Sequence, residues 1–577
     1  ISYEDKPLPD ESTLTVPASQ ESQEAAPPAI DTIAVPEAYV TDPLLAVAAD
    51  RLATAVDDRT GTRPTVVPGS QGDFVVTVDD SVPAGGYTLD PGGVVGGDRN
   101  GVADGMFAAA LALEAGRALP DLGTTPVVAD LQYRYVDMGA VGVQPDPAAW
   151  LAQDDYSHNS GAFSDVILAD SPYIDPDGMA RARADWEAYV EHIRAYGYNG
   201  IVVNGFLEYV NFDGVGDGTE VYPADSPYRA RHDAMVEQFG AMWSYAADMG
   251  MDVVFKTDML ALTGPLEEYL DRELGGIDPD DPRLWEVYTA GLDEFLTRMP
   301  FVSGLMIRIG EAGTVYNLEG WDYYSALEVT SVAAVRTMLE QLTAAAAEHD
   351  RTIFFRTWSV GVGEVGDMHT STETYDAVLE GLDADNLVAV TKYTMGDFYS
   401  WLPDNPTLSH GDQPRVVEFQ SRREFEAFSA IPNHLSTHQQ QALQGFAADN
   451  PNIQGIWVWT QDGGPWRAGP MSLYLKSGFW QLYDADVYAT GRLGWDVDAD
   501  VGAATRDWVA RTFSDDPATA DALVAVLADS REVVRDGLYV APYAREQVLA
   551  LGLEPPPMMW IFEWDIVSGD SAALSAI

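Results

Sequence analysis

The stretch Thr352–Thr394, TIFFRTWSVGVGEVGDMHTSTETYDAVLEGLDADNLVAVTKYT, decides the fold. It opens on a short apolar strand candidate, Thr352–Trp358, and closes on a second, Leu387–Thr394. A strand, a longer helical stretch and another strand make a βα repeat. The same alternation recurs outward, with candidate strands at Tyr133–Gly139, Gly200–Asn204, Asp252–Asp258, Gly304–Glu311, Arg415–Gln420 and Ile453–Thr460. Between them apolar residues recur at helical spacing: Trp186, Tyr189, Val190 and Ile193; Met235, Phe239, Met242 and Ala246; Val335, Met338, Leu339 and Leu342. Eight such strands over roughly 340 residues predict an α/β chain built on a closed (β/α)8 TIM barrel with elaborated loops. An open doubly wound sheet is the rival arrangement.

On either side the pattern changes. Residues 1–30 are polar and Pro/Glu/Ser-rich and read as a flexible arm. Residues 31–125 read as a small α/β domain with a helix at Pro43–Val56, a strand at Phe74–Asp79 and a helix at Gly105–Gly116. Its GGDRNG run (Gly96–Gly101) fits neither phosphate-loop spacing and is assigned to tight turns. The barrel is expected over 126–470. A helical C-terminal domain over 471–577 follows, with helices at Leu473–Leu482, Val501–Phe513 and Pro517–Gly537.

Composition narrows the chemistry. Lys+Arg 32 against Asp+Glu 91 gives a net charge of −59, which repels nucleic acid. No apolar run reaches the roughly 18–20 residues needed to cross a bilayer, so a membrane is not an expected partner. The chain holds no cysteine, which excludes disulfides, thiolate zinc sites and a cysteine nucleophile. His434 and His438 have i,i+4 spacing but no acidic third ligand nearby, so neither a metal nor another cofactor is expected. The acidic surface fits a secreted or cell-surface setting better than the cytoplasm. No signal peptide is visible, although a leader removed before Ile1 and a continuation past Ile577 are both compatible with the sequence. Oligomeric state is open, a homodimer included.

In a (β/α)8 barrel the loops after the C-terminal strand ends converge on one opening, so strand-end residues are the site candidates. They are Asn204; Lys256 and Asp258; Glu311; Arg356 and Trp358; Lys392 and then Asp397; Glu418 and then Glu424; and Trp457 and Trp459, followed by Asp462 and Trp466. Paired carboxylates suit glycoside hydrolysis, one donating a proton to the leaving oxygen and another activating water or attacking carbon. Indole faces stack on sugar rings, and Asn, Lys and Arg bind hydroxyls or a carboxylate.

At these positions the sequence resembles the family 67 glycoside hydrolases, the α-glucuronidases. The likeness is carried by Phe354–Gly361 (FFRTWSVG), by Asn386–Phe398 (NLVAVTKYTMGDF) with Leu402, Pro403 and Pro406, and by Val417–Phe425 (VEFQSRREF). It extends to Gly491–Trp495 (GRLGW) through Trp508 and Phe513, and Asn199–Asn204 (NGIVVN) fits the second strand. In order along the chain it covers about residues 35–515. The resemblance implies Glu311 as general acid and Asp397 with Glu424 as the pair that positions and deprotonates water, Glu418 being the competitor of Glu424. It also implies Arg356 and Lys392 as cations for a uronic acid carboxylate or neighbouring groups, while position at the strand ends makes Asn204, Lys256, Trp358 and Trp459 further substrate-binding candidates. Inversion in one displacement would then set the acid about 6.5–9.5 Å from the base. Two departures stand out. The family's lysine four residues before the acid is Ile307 here, with Arg308 expected on the opposite face of the strand, and the turn after the acid is altered to Ala312–Tyr316.

The reading is therefore an exo-acting, inverting glycoside hydrolase that releases a terminal uronic acid or related sugar from an oligosaccharide or polysaccharide, in the manner of polysaccharide degradation. Beside it stand a retaining hexosaminidase-like glycosidase, a non-catalytic carbohydrate-binding barrel, and a polysaccharide lyase.

Overall fold

A computed structural model describes residues 28–138, 163, 166–309, 311, 313–316, 318–395, 398–421, 432–460, 482 and 484–538. The chain begins with a sheet of β1 (Thr32–Val35), β2 (Thr65–Pro68), β3 (Phe74–Val78), β4 (Tyr87–Asp90) and β5 (Gly93–Gly96), in the order β2-β1-β3-β5-β4. Only the β4–β5 pair is antiparallel. Two helices pack on it, Pro43–Thr60 and Arg99–Glu114, each started by an aspartate whose side chain accepts a first-turn amide: Asp42 from Leu45 (3.1 Å) and Asp98 from Gly101 (2.8 Å). The second helix starts six residues before the expected Gly105. Its glycines are contact points rather than breakers, since a Cβ on Gly101 would fall 2.2 Å from the Gly86 carbonyl oxygen. GGDRNG is thus a strand end, a cap and a close helix–strand approach.

Eight parallel strands then close a barrel: β6 (Tyr133–Asp137), β7 (Gly200–Asn204), β8 (Asp252–Asp258), β10 (Val302–Arg308), β13 (Thr352–Arg356), β14 (Leu387–Lys392), β15 (Arg415–Gln420) and β16 (Ile453–Trp459), which pairs back with β6. The numbers between belong to short strands in the connecting loops: β9 (Ala261–Leu262), β11 (Gly313–Thr314) and β12 (Tyr324–Ser325), a small sheet of its own. Helices outside and side chains inside cover both faces of the barrel strands, hence their nearly unbroken Val, Ile and Phe runs.

Side chains alternate across each strand, so every second residue enters the barrel. At the N-terminal end the interior is filled by Tyr133, Tyr135 and Phe354, whose ring centroids lie 5.5–5.6 Å apart. Neighbouring strands make room with glycine: a Cβ on Gly200 would lie 2.1 Å from the Tyr135 ring, and one on Gly455 2.5 Å from Tyr133 Cβ. This aromatic plug blocks the bottom. Two residues further along the same strands the interior turns polar, with Asp137 above Tyr135 and Arg356 above Phe354.

Among the described residues three helices follow the barrel, Asp484–Trp495, Val501–Thr512 and Pro517–Leu538. The expected Leu473–Leu482 helix lies almost wholly outside the described residues. The first helix is held to the barrel by Asp484, which is hydrogen bonded to His192 (3.0 Å), Tyr196 (2.8 Å) and Trp508 (2.9 Å), and by Trp495, which donates to the Gly197 carbonyl (3.0 Å). Among the described residues no helix is long and apolar enough to cross a membrane.

Candidate active site

The floor of the barrel mouth is a set of four buried charges. Lys256 Nζ donates to Asp137 Oδ2 (3.1 Å) and sits 3.6 Å from the centroid of the Trp459 ring. Arg356 donates from Nε (3.1 Å) and Nη2 (2.6 Å) to the two oxygens of Glu418, which also accepts from Trp459 Nε1 (2.8 Å). Two cations and two anions thus balance around one indole. Burial pushes the Lys256 ammonium down to about 8 against the pull of Asp137, and burial raises the Asp137 carboxyl against the pull of Lys256. Such pairs persist in the interior only when both partners are present and hydrogen bonded.

The rim is built around Glu311. Its carboxylate accepts from Arg308 Nη1 (2.6 Å) and from the Trp358 indole N–H, while Arg308 Nη2 donates to Asp258 (3.0 Å). Lys392 Nζ lies 3.4 Å from the centroid of the Trp358 ring and 4.5 Å from that of Phe398. The Glu311 side chain remains 36% exposed. Burial would raise its pKa, but the charges of Arg308 and Lys392, the Trp358 hydrogen bond and the charge of Arg356 outweigh that and bring it down to about 2. It is an anion at neutral pH.

Several expectations change against this geometry. Arg308 lies on the mouth side of β10: it pairs in register with Asp258, as Met306 does with Lys256, whereas the buried Ile307 pairs with Thr257 on the outer face. The cation missing at Ile307 is thus supplied one position later, where the strand ends. Arg356 commits its Nε and Nη2 to Glu418, a partner 62 positions away, and is not an open fork for a substrate carboxylate. Glu418 is itself wholly buried and accepts three hydrogen bonds, which leaves it no water to activate. Trp358 is 1% exposed and Trp459 8%, and each has an ammonium over its ring rather than an open face for a sugar.

Asn204 ends β7 in register with Lys256, at the level of the floor. Asp397, Glu424, Asp462 and Trp466 lie outside the described residues. Their chain neighbours reach the mouth: the Phe398 ring is 6.0 Å from Trp459, and Ser421 N donates to the Trp459 carbonyl (2.9 Å). Asp137 was missed in the sequence, although its place two residues after Tyr135 in YRYVD, at the end of the first barrel strand, is the signal that marks it. Among the described residues no group of three His, Asp or Glu could hold a metal ion, and His434 is hydrogen bonded to Thr505 (2.9 Å) and Ser436 (2.7 Å).

No curated protein matches the chain in sequence. Among solved structures it is similar to a GH138 enzyme targeting pectin rhamnogalacturonan II, at 13% identity and a TM-score of 0.60, covering 90% of this chain and 59% of that one. It is also similar to a family 89 glycoside hydrolase from Clostridium perfringens, at 11% identity and a TM-score of 0.51, covering 84% of this chain and 53% of that one. The chain thus spans little more than half the length of these structures, and the likeness is one of fold. Residues 480–550 match the family model described as the glycosyl hydrolase family 67 C-terminus. Behind its (β/α)8 barrel, this chain therefore carries a helical segment, residues 480–550, that is similar to the C-terminus of the family 67 glycoside hydrolases.

Proposed function

We propose that the protein is a glycoside hydrolase that removes a terminal uronic acid, or a sugar carrying a comparable anionic group, from an oligosaccharide or polysaccharide with inversion. The observation that carries this reading is the Glu311 carboxylate, partly exposed just past the end of the fourth barrel strand and held by Arg308, Trp358 and the charge of Lys392, in a chain whose residues 480–550 are similar to the family 67 C-terminus. In the reaction Glu311 gives its proton to the leaving oxygen as the glycosidic C–O bond breaks. Water, positioned and deprotonated by Asp397 and Glu424, attacks the anomeric carbon from the other side.

A general acid must hold a proton, and Glu311 in the free protein does not. A uronate carboxylate placed beside Lys392 and the Glu311-facing side of Arg308 resolves the conflict, because its negative charge offsets the field of the two cations that keep Glu311 ionised, while Arg308 stays held by Asp258 through Nε and Nη2. The acid is then armed by its own substrate, and a neutral sugar leaves it unarmed. With Asp258 already on Arg308, Glu311 and a substrate anion compete for the remaining positive charge, which supports a preference for acidic sugars independently of Ile307.

The low pKa also favours a second reading, in which Glu311 attacks carbon as a nucleophile with retention. Following the first-formed anomer by NMR, on glucuronic-acid-capped xylo-oligosaccharides and their neutral glucose analogues, separates the two. Inversion with release of the uronic acid supports the proposal. Retention, or equal turnover of both sugars, overturns it.

A further inference from the structure

Two loops of the site converge on one turn of the last described helix. The loop after β14 is pinched at its neck, where Thr394 bridges Asp404 and Met395 N donates to the Pro403 carbonyl (2.9 Å). Its outer arm rests on the helix Pro517–Leu538. There Arg531 Nη2 donates to the Ser400 carbonyl (3.0 Å), Trp401 Nε1 donates to the Arg531 carbonyl (3.2 Å), and the guanidinium carbon lies 3.6 Å from the centroid of the Trp401 ring. The chain leaving β15 returns at His434, whose backbone N–H donates to Ser530 Oγ (2.9 Å). Ser530 and Arg531 are adjacent and each 5% exposed. By sequence these two loops are the ones that carry Asp397 and Glu424.

We infer that the Ser530–Arg531 turn braces both loops at once, and that Arg531 is a positioning residue for the activation of water; the catalytic part of this rests on the roles given to Asp397 and Glu424 above. Apolar packing would hold a loop down without fixing its register. A buried guanidinium that donates to one carbonyl and stacks on the adjacent indole fixes both distance and direction. Phe398 carries that placement inward to Lys392 and Trp459. Through this turn the helix Pro517–Leu538 acts on the geometry of the mouth.

The test uses the full chain carrying Arg531→Ala, Arg531→Lys or Ser530→Ala, with hydrogen exchange and turnover of 4-nitrophenyl α-D-glucuronide measured side by side. Arg531→Ala should speed exchange at the Tyr399–Leu402 amides and at the His434 amide together. It should lower kcat roughly ten- to a hundredfold with KM within about twofold, a misplacement effect. The loss should persist for a good leaving group, as the larger loss of Asp397→Asn does, whereas Glu311→Gln should cost little there. Arg531→Lys restores a donor to Ser400 and should recover part of kcat, and Ser530→Ala should loosen His434 with a smaller loss. Faster exchange confined to Ser400 and Trp401, or an unchanged kcat where Asp397→Asn abolishes turnover, overturns the brace. Full activity of Asp397→Asn with both loops loosened in Arg531→Ala would instead remove the catalytic reading and leave the brace standing.

Discussion

Replacing Arg308 with glutamine should exchange the preference of the site for charged over neutral sugars. The guanidinium donates to Glu311 across 2.6 Å, which puts the charge centres about 4 Å apart. At an effective dielectric near 20 that attraction is about 4 kcal/mol, or roughly three pKa units. Glu311 is 36% exposed, so solvent screening reduces the effect to roughly one or two units. The carboxyl should then rise from about 2 to roughly 3–4. Near pH 6 the protonated fraction of the free protein grows by the same one to two powers of ten, and kcat/KM reports groups of the free protein. For a neutral glycoside with a poor leaving group, kcat/KM should therefore rise roughly tenfold or more. For the uronide it should fall, because the substrate carboxylate loses a donor that it needs both for binding and for arming the acid. The assay is kcat/KM for the two sugars from pH 4 to 8. Equal losses on both would show that Arg308 only supports the loop; an unchanged neutral rate with a lower uronide rate would point to Glu311 acting as a carboxylate nucleophile.

Lys256→Met should destabilise the fold by roughly 3–5 kcal/mol by leaving Asp137 buried without its cation, and adding Asp137→Asn should recover most of the loss, as read by urea denaturation. Gly200→Ala should destabilise by roughly 1–3 kcal/mol or more, because the new methyl meets the Tyr135 ring; an unchanged melting temperature would show that the aromatic plug can shift. The depressed Glu311 pKa contributes stability that is present above about pH 4.3, the unfolded value, and is lost as pH falls through about 2. Glu311→Gln should accordingly be less stable than the parent near pH 6, with the gap closing toward pH 2; a constant gap would contradict the ionised state assigned to Glu311.

The barrel could be read from the sequence because a buried parallel strand needs apolar residues on both faces, and residues 387–390 (LVAV) or 353–355 (IFF) show that directly. The end of the fourth barrel strand could not. It stops at Arg308 rather than Glu311, so the carboxylate stands on the loop, and the alternation that puts Arg308 inside is visible only once Gly304 and Met306 are known to face inward. Pairing was also hidden. Arg356 and Lys256 read as open binding groups, and Glu418 as a competing base, because sequence lists donors and acceptors without saying which meet, and Lys256 finds Asp137 across 119 positions. The helix that starts at Arg99 was hidden for the opposite reason, since Gly101 and Gly105 resemble breakers until the strand lying against them is seen.

Because β16 lies beside β6, the barrel is sewn shut between its first and last strands, and Asp484–Trp495 is fastened over that seam by Arg134, whose guanidinium lies 4.7 Å from the Trp495 ring. During synthesis seven strands leave the ribosome as an open sheet with two raw edges. Closure waits for Ile453–Trp459, and the fastening waits for some forty residues more. From β7 until β16 is made the chain is a nascent sheet in need of shielding, and an early stop before Trp495 yields an unclasped product.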